Sequence, residues 1–314
     1  MNMRIRRTKA HAFIAIIALV ALPAFAHPGS GICVMDNGQV FFVDTGYGIW
    51  KIDESGDVSS YAQADGHFLT EDPHATFVQE HFAHLERGDI KVISEKPNVI
   101  IATSYPVAVG SDGAFYYPQV QSKGRVKIMR MLPGKKAQQF AALPPVRERS
   151  YTGEWVDAEW VWAIAAGPNG SIYYTEKHAV RKIAVDGTVS AVAENVTVPG
   201  CEHPPAVTES HVEPGLYGLC VTDDGTVYVA ASACSALLKI APDGTQSVAL
   251  RATDGWSPQG VDAVGNTLYV LEYDYVKSED RADWLPRVRK IDADGKATVI
   301  SQIDKPMRAA AAKK

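Results

Sequence analysis

The sequence predicts an all-β protein, a six-bladed β-propeller of four-stranded antiparallel blades. Three observations predict it. A strand-and-turn unit recurs along the chain, its tight turns carry Asp-Gly or Asn-Gly, and its first strand is built from small and aliphatic residues. The unit is plainest at Ala166–Val189, AGPNGSIYYTEKHAVRKIAVDGTV. One such unit is too small to bury a core of its own, so it must stack against copies of itself. Four-stranded units at this spacing close radially into a propeller.

Taken in order, blade one is GICVMDNGQVFFVDTGYGIWKIDESGDVSSY from Gly31, and blade three runs from VAVGSDGAFYYPQV at Val107 to RVKIMRMLPGKKAQQF. Blade four holds the unit above. Blade five is GLCVTDDGTVYVAASACSALLKIAPDGTQSV from Gly218, and blade six begins GVDAVGNTLYVLEYDYV at Gly260 and resumes at RVRKIDADGKATVI. Asp-Gly and Asn-Gly supply the positive φ of tight hairpins. Small residues let the first strand sit near a crowded axis, and polar alternation in the last strand suits the rim. Blade two departs from the pattern. Its first strand is expected at His67–Thr70, followed by an irregular hairpin and strands at 89–94 and 98–103. No segment is left over to serve as a strand shared between the first and last blades.

The ends of the chain read differently from its middle. Arg4, Arg6, Arg7 and Lys9 precede the apolar run AHAFIAIIALVAL, and Ala24-Phe25-Ala26 offers small residues for cleavage before His27. Residues 1–26 are therefore expected to be a secretory signal peptide, 27–304 a single propeller and 305–314 a disordered, solvated tail. The destination is the periplasm or the exterior. Of 314 residues, 46% are apolar. Cleavage removes four of the 31 basic residues and none of the 36 acidic ones, which leaves a formal charge of −9. That excludes a nucleic-acid partner, which needs a basic face, and no membrane partner is expected after cleavage.

The pattern GPNGSIYYTE…VRKIAVDGTVSAVAENV resembles the NHL-repeat and SMP-30/gluconolactonase-like superfamily of six-bladed propellers, and it looks like the blades of streptogramin lyases. The resemblance covers nearly all of the mature chain, but its motifs specify a scaffold and not a reaction. Hydrolases of the superfamily hold a divalent metal, often calcium, on the axis through Glu, Asn and Asp placed just before the innermost strands. The matching positions here are Ser30, His67, Tyr105, Trp162, Tyr217 and Gln259. None is a carboxylate, and a hard cation wants oxygen anions. The family's metal site is therefore not carried over: no cofactor is assigned, and a divalent metal such as calcium would find only neutral donors from Ser30, His67 and Gln259.

What these positions offer is aromatic surface. His67, Tyr105, Trp162, Tyr217 and Gln259 are the candidate ligand-binding residues at the axial mouth, with Trp155, Trp160, Trp256 and Trp284 in or near loops on the same face. Two readings stand: rings that plug the channel and pack between blades, or a stacking floor for a small organic ligand. Acidic residues end the second strands, namely Asp44, Glu176 and Glu272. They either tie their own loops by accepting backbone N–H bonds, or Glu176 and Glu272 act as general acid or base beside an apolar mouth. His211, in the long connection CEHPPAVTESHVEPG, is the third candidate catalytic residue. Export favours a disulfide between Cys201 and Cys234, pinning that connection across the mouth, with Cys33 and Cys220 as buried small hydrophobes. The expected function is recognition of a small organic ligand, with a metal-dependent lactonase-like hydrolase or lyase and a protein-interaction platform as alternatives.

Overall fold

A computed structural model describes residues 28–85, 89–95, 97–121, 125–144, 146–149, 155–158, 161–201, 215–274 and 280–313. The expected signal peptide, His211, Trp160 and most of the long connection lie outside the described residues. Six sheets form a β-propeller. Blade one comprises Ile32–Val34, Val40–Asp44, Gly48–Ile52 and Val58–Ala62, and its strands pair in sequence order. Blade three comprises Ala108–Val109, Phe115–Gln121, Arg125–Met131 and Gln138–Ala142, and blade four Ala163–Ala166, Ile172–Glu176, Ala179–Ile183 and Val189–Ala193. Blade five is Leu216–Val221, Val227–Ala231, Ala236–Ile240 and Gln246–Arg251, and blade six Ser257–Val264, Thr267–Tyr273, Pro286–Ile291 and Ala297–Gln302. A separate two-stranded hairpin, Val146–Arg149 with Trp155–Ala158, stands between blades three and four, where the sequence reading expected only a loop.

The turns form for the reason the sequence suggests. In blade four, Ala184 N donates to Thr188 O at 2.9 Å, Gly187 N donates to Ala184 O at 2.8 Å, and Asp186 Oδ1 accepts from Thr188 N at 2.9 Å. The aspartate thus closes an Asx turn, and Gly187 takes the positive φ of 84° that a Cβ would strain. Near the axis the small residues are required by contact. A Cβ on Gly260 would lie 2.1 Å from Ser30 O, in the neighbouring blade. The core lies between blades, as clusters such as Val180, Val227, Val229 and Leu238 at the junction of blades four and five.

Blade two has three described strands, Phe68–Asp72, Ile90–Ser94 and Asn98–Ala102, close to the expected segments, but their order differs. Asn98–Ala102 lies in the middle, between the other two. The chain therefore crosses over between its first two strands instead of turning back as a hairpin. Burial explains the order, because NVIIA is buried at every position and needs cover on both sides, whereas the outer strand IKVIS is mostly solvated. Buried Asp72 holds the crossover by accepting from Phe77 N at 2.8 Å, Thr76 Oγ1 at 3.1 Å and Asn98 Nδ2 at 3.1 Å. Gln79 serves the outer edge, donating to Ile90 O at 2.7 Å and accepting from Val92 N at 3.0 Å.

The C-terminal segment corrects the sequence reading. Instead of a solvated tail, Lys305–Ala311 is a helix, capped by Asp304, whose side chain accepts from Met307 N. Its Arg308 is buried and reaches blade one, where Nη2 and Nε donate to Asp44 Oδ1 at 2.5 Å and Oδ2 at 2.8 Å. The same guanidinium donates to Ala282 O at 3.0 Å and to Trp284 O in blade six, and lies 3.9 Å from the Tyr47 ring. Met307 and Ala311 pack into the cluster of Phe42, Trp50, Tyr273 and Ile303 at that junction. Every blade is contiguous in sequence, so the ring closes through this helix and through side chains. Tyr273 Oη donates to Val43 O at 2.6 Å, and Asp262 Oδ2 accepts from Val34 N at 2.8 Å.

Candidate functional site

The inner strands begin on one face of the ring, the upper face, and this is where the sequence placed its candidates. The axial void there is small. About 50 Å³ is enclosed by Ser30, Phe68, Pro106, Ile164, Tyr217 and Leu219. Tyr217 is buried, and its ring meets that of the half-buried Trp162 edge-on at 4.9 Å. Gln259 is fully buried: its Nε2 donates to Ser232 Oγ, and its Oε1 has no hydrogen-bond partner among the described residues. His67 is partly buried and bonded to the Thr103 backbone, and burial lowers its pKa. Trp256 lies under the Arg287 guanidinium at 4.0 Å, and Trp284 packs in the junction of blades six and one. Both are packing rings, because propeller junctions need bulk.

These positions do not fit a calcium ion. None of them brings an anionic oxygen, which a calcium ion wants, and Gln259 offers only its neutral Oε1. Among the described residues, no three His, Cys, Asp or Glu side chains converge to hold a metal ion.

The strand-end acids make arginine pairs, not the backbone ties one reading expected. Glu176 Oε1 receives Arg181 Nε at 2.5 Å, and Arg181 Nη1 reaches Glu194 at 3.0 Å. Glu272 is fully buried and receives Arg287 Nε at 2.5 Å and Arg289 Nη1 at 3.4 Å. Burial raises the Glu272 pKa while the two guanidiniums oppose it, and the same balance of burial against Arg308 raises Asp44. Each pair ties the second strand of its blade to the third, or in Asp44 to the closing helix. The Cys201–Cys234 disulfide forms as expected, across 33 residues, and Cys33 and Cys220 are free and buried.

One expected ligand residue, Tyr105, lies at a large cavity off the axis. About 680 Å³ opens between blades two and three, lined by Leu85, Asp89, Tyr105, Tyr117, Met129 and Val161 among others. Local sequence makes this space. The second and third strands of blade three have seven residues each, against five in blade four, so their hairpin stands tall. Opposite it, the crossover of blade two supplies Leu85 and Asp89 in place of a regular hairpin. Tyr105 and Tyr117 form a corner, with centroids 5.7 Å apart and planes inclined at 33°. Burial first, then Tyr117 and Asp89, pushes the Tyr105 phenol up to about 12.

The sequence reading did not single out Asp89 and Tyr117, which line this cavity. The lengthened FYYPQVQ strand was a visible signal for Tyr117, while Asp89 depended on the unforeseen crossover.

The lower end of the axis differs in chemistry. There a void of about 260 Å³ is lined by Asp36, Glu71 and Asp262 among aliphatic residues. Burial, then Asp36 and Asp262, pushes Glu71 up to about 7, and burial pushes Asp262 up to about 6.

No family model matches the chain, and neither does any curated protein. Among solved structures it is similar to a protein of unknown function from Bacteroides caccae, with a TM-score of 0.53 at 11% identity over 86% of this chain and 94% of that one. It is also similar to virginiamycin B lyase from Staphylococcus aureus, with a TM-score of 0.48 at 14% identity, covering 87% and 83%. Against the calcium-binding protein regucalcin from Agrobacterium tumefaciens the TM-score is 0.49 at 12% identity, covering 77% and 81%. At these identities the likeness is one of fold alone: the chain is a six-bladed β-propeller.

Proposed function

We propose that this protein is an exported propeller that binds a small organic ligand on its upper face, in the cavity beside Tyr105 and not on the axis. The observation that carries the reading is size. A pocket for a small molecule needs several hundred cubic ångströms with a mostly apolar lining and a few polar groups. The cavity of about 680 Å³ meets that need, and the axial void of about 50 Å³ does not. Leu85, Tyr117, Met129 and Val161 give apolar contact, while Asp89 and the Tyr105 hydroxyl give direction. Export rests on the N-terminal charge pattern and agrees with the disulfide.

The test is a calorimetric or fluorescence screen of mature protein against small cyclic and aromatic compounds, repeated on Tyr105→Ala. Ligands are expected to bind and to lose at least tenfold in affinity in the variant. Binding that ignores Tyr105→Ala but responds to Tyr217→Ala would return the site to the axis.

A further inference from the structure

We infer that the ligand of the blade two–three cavity carries a protonated amine on an apolar or aromatic body, held by the Asp89 carboxylate and the faces of Tyr105 and Tyr117. This inference rests on the proposed location of the site. It starts from an unbalanced group. Asp89 Oδ2 is shielded from solvent and has no hydrogen-bond partner among the described residues. A buried carboxylate oxygen without a donor costs free energy, unlike Asp44, Glu176 and Glu272, each of which has an arginine. Asp89 is also held in place, since its carbonyl accepts from Thr103 N at 3.1 Å and Thr103 Oγ1 at 3.4 Å, two residues before Tyr105. Oδ2 itself is out of a ligand's reach, but Asp89 is only half-buried and lines the cavity, so a ligand there meets the rest of its carboxylate and supplies the cation that Asp89 lacks among the described residues.

The rings narrow the class of donor. Two tyrosine faces beside a carboxylate attract a cation by both their quadrupoles and the anionic charge. A neutral hydroxyl would gain only the hydrogen bond. Lys136, a cation at the cavity, is exposed, so solvent and salt screen it from the interior. An apolar body is required by Leu85, Met129 and Val161.

The experiment compares three probes of one shape, phenethylamine, 2-phenylethanol and 3-phenylpropionate, by calorimetry at pH 7 on the wild-type chain, Asp89→Asn and Tyr105→Ala. The amine is expected to bind at least tenfold tighter than the alcohol and the carboxylate weakest. Asp89→Asn should remove the preference while leaving the alcohol within threefold, and Tyr105→Ala should weaken amine and alcohol alike. Equal binding of amine and alcohol, or preference for the carboxylate, overturns the charge assignment and leaves the cavity as a site. Failure of all three to bind in a Tyr105-dependent way overturns the amine assignment, and the broader screen above then decides on the cavity itself. Circular dichroism and melting of each variant show whether a loss reflects unfolding.

Discussion

Two junctions of the same ring have opposite character. Between blades six and one, the buried ion pair is satisfied: Asp44 holds Arg308 and Trp50 Nε1, and Arg308 covers two carbonyls of blade six. Between blades two and three, a carboxylate oxygen has no donor and about 680 Å³ stands open. The first junction must join the ends of the chain, so its polar groups are spent on folding. The second joins blades already linked in sequence, so strand length and connection could vary there without opening the ring. A surplus acceptor is tolerated where the ring does not depend on it, and that is where we propose that a ligand is recognised.

The largest effect should come from breaking the satisfied junction. Arg308→Ala leaves Asp44 buried without its cation and should cost about 3–5 kcal/mol, read as a lowered denaturation midpoint. A loss below about 1 kcal/mol would show that the helix does not close the ring. Next, Cys234→Ser removes the Cys201 bridge and should cost about 2–4 kcal/mol under oxidising conditions, with no further change on adding reductant.

Glu71→Gln should act with a sign set by pH. The folded state raises this carboxyl from 4.5 to about 7, so it holds a proton that the unfolded chain releases. Stability is therefore lost as pH rises from about 4.5 to 7. The variant should gain about 1 kcal/mol at pH 8, after discounting for solvent screening, and nothing at pH 4. Equal gains at both pH values would separate the effect from titration. The smallest effect is the sharpest for the comparison: Asp89→Asn should shift stability by no more than about 0.5 kcal/mol. A cost like that of Arg308→Ala would make Asp89 a folding group and erase the contrast.

Much of the architecture could be read from spacing. The turn at Ala184–Thr188 follows from local chemistry, because Asp186 and Gly187 need only their neighbours to close it. The disulfide was legible because the expected export permits pairing and topology puts Cys201 and Cys234 at one end of a blade. Of the proposed site, the sequence reading named only Tyr105. Trp162, Tyr217 and Gln259 were chosen for their place before inner strands, and that place does not say which way a side chain turns. Gln259 turned to Ser232, and Tyr217 turned to Trp162. Glu176 and Glu272 looked available because their arginines are offset along the chain and meet them only across paired strands.

By itself the sequence determined the repeat, the turns and the small residues at the axis, since each is fixed by interactions within about thirty residues or by a steric rule. Only tertiary structure decided strand order in blade two, the helix that closes the ring and the position of the cavity. Those depend on which buried surface finds cover and which charge finds a partner far away in sequence, as Asp44 and Arg308 do across 264 residues.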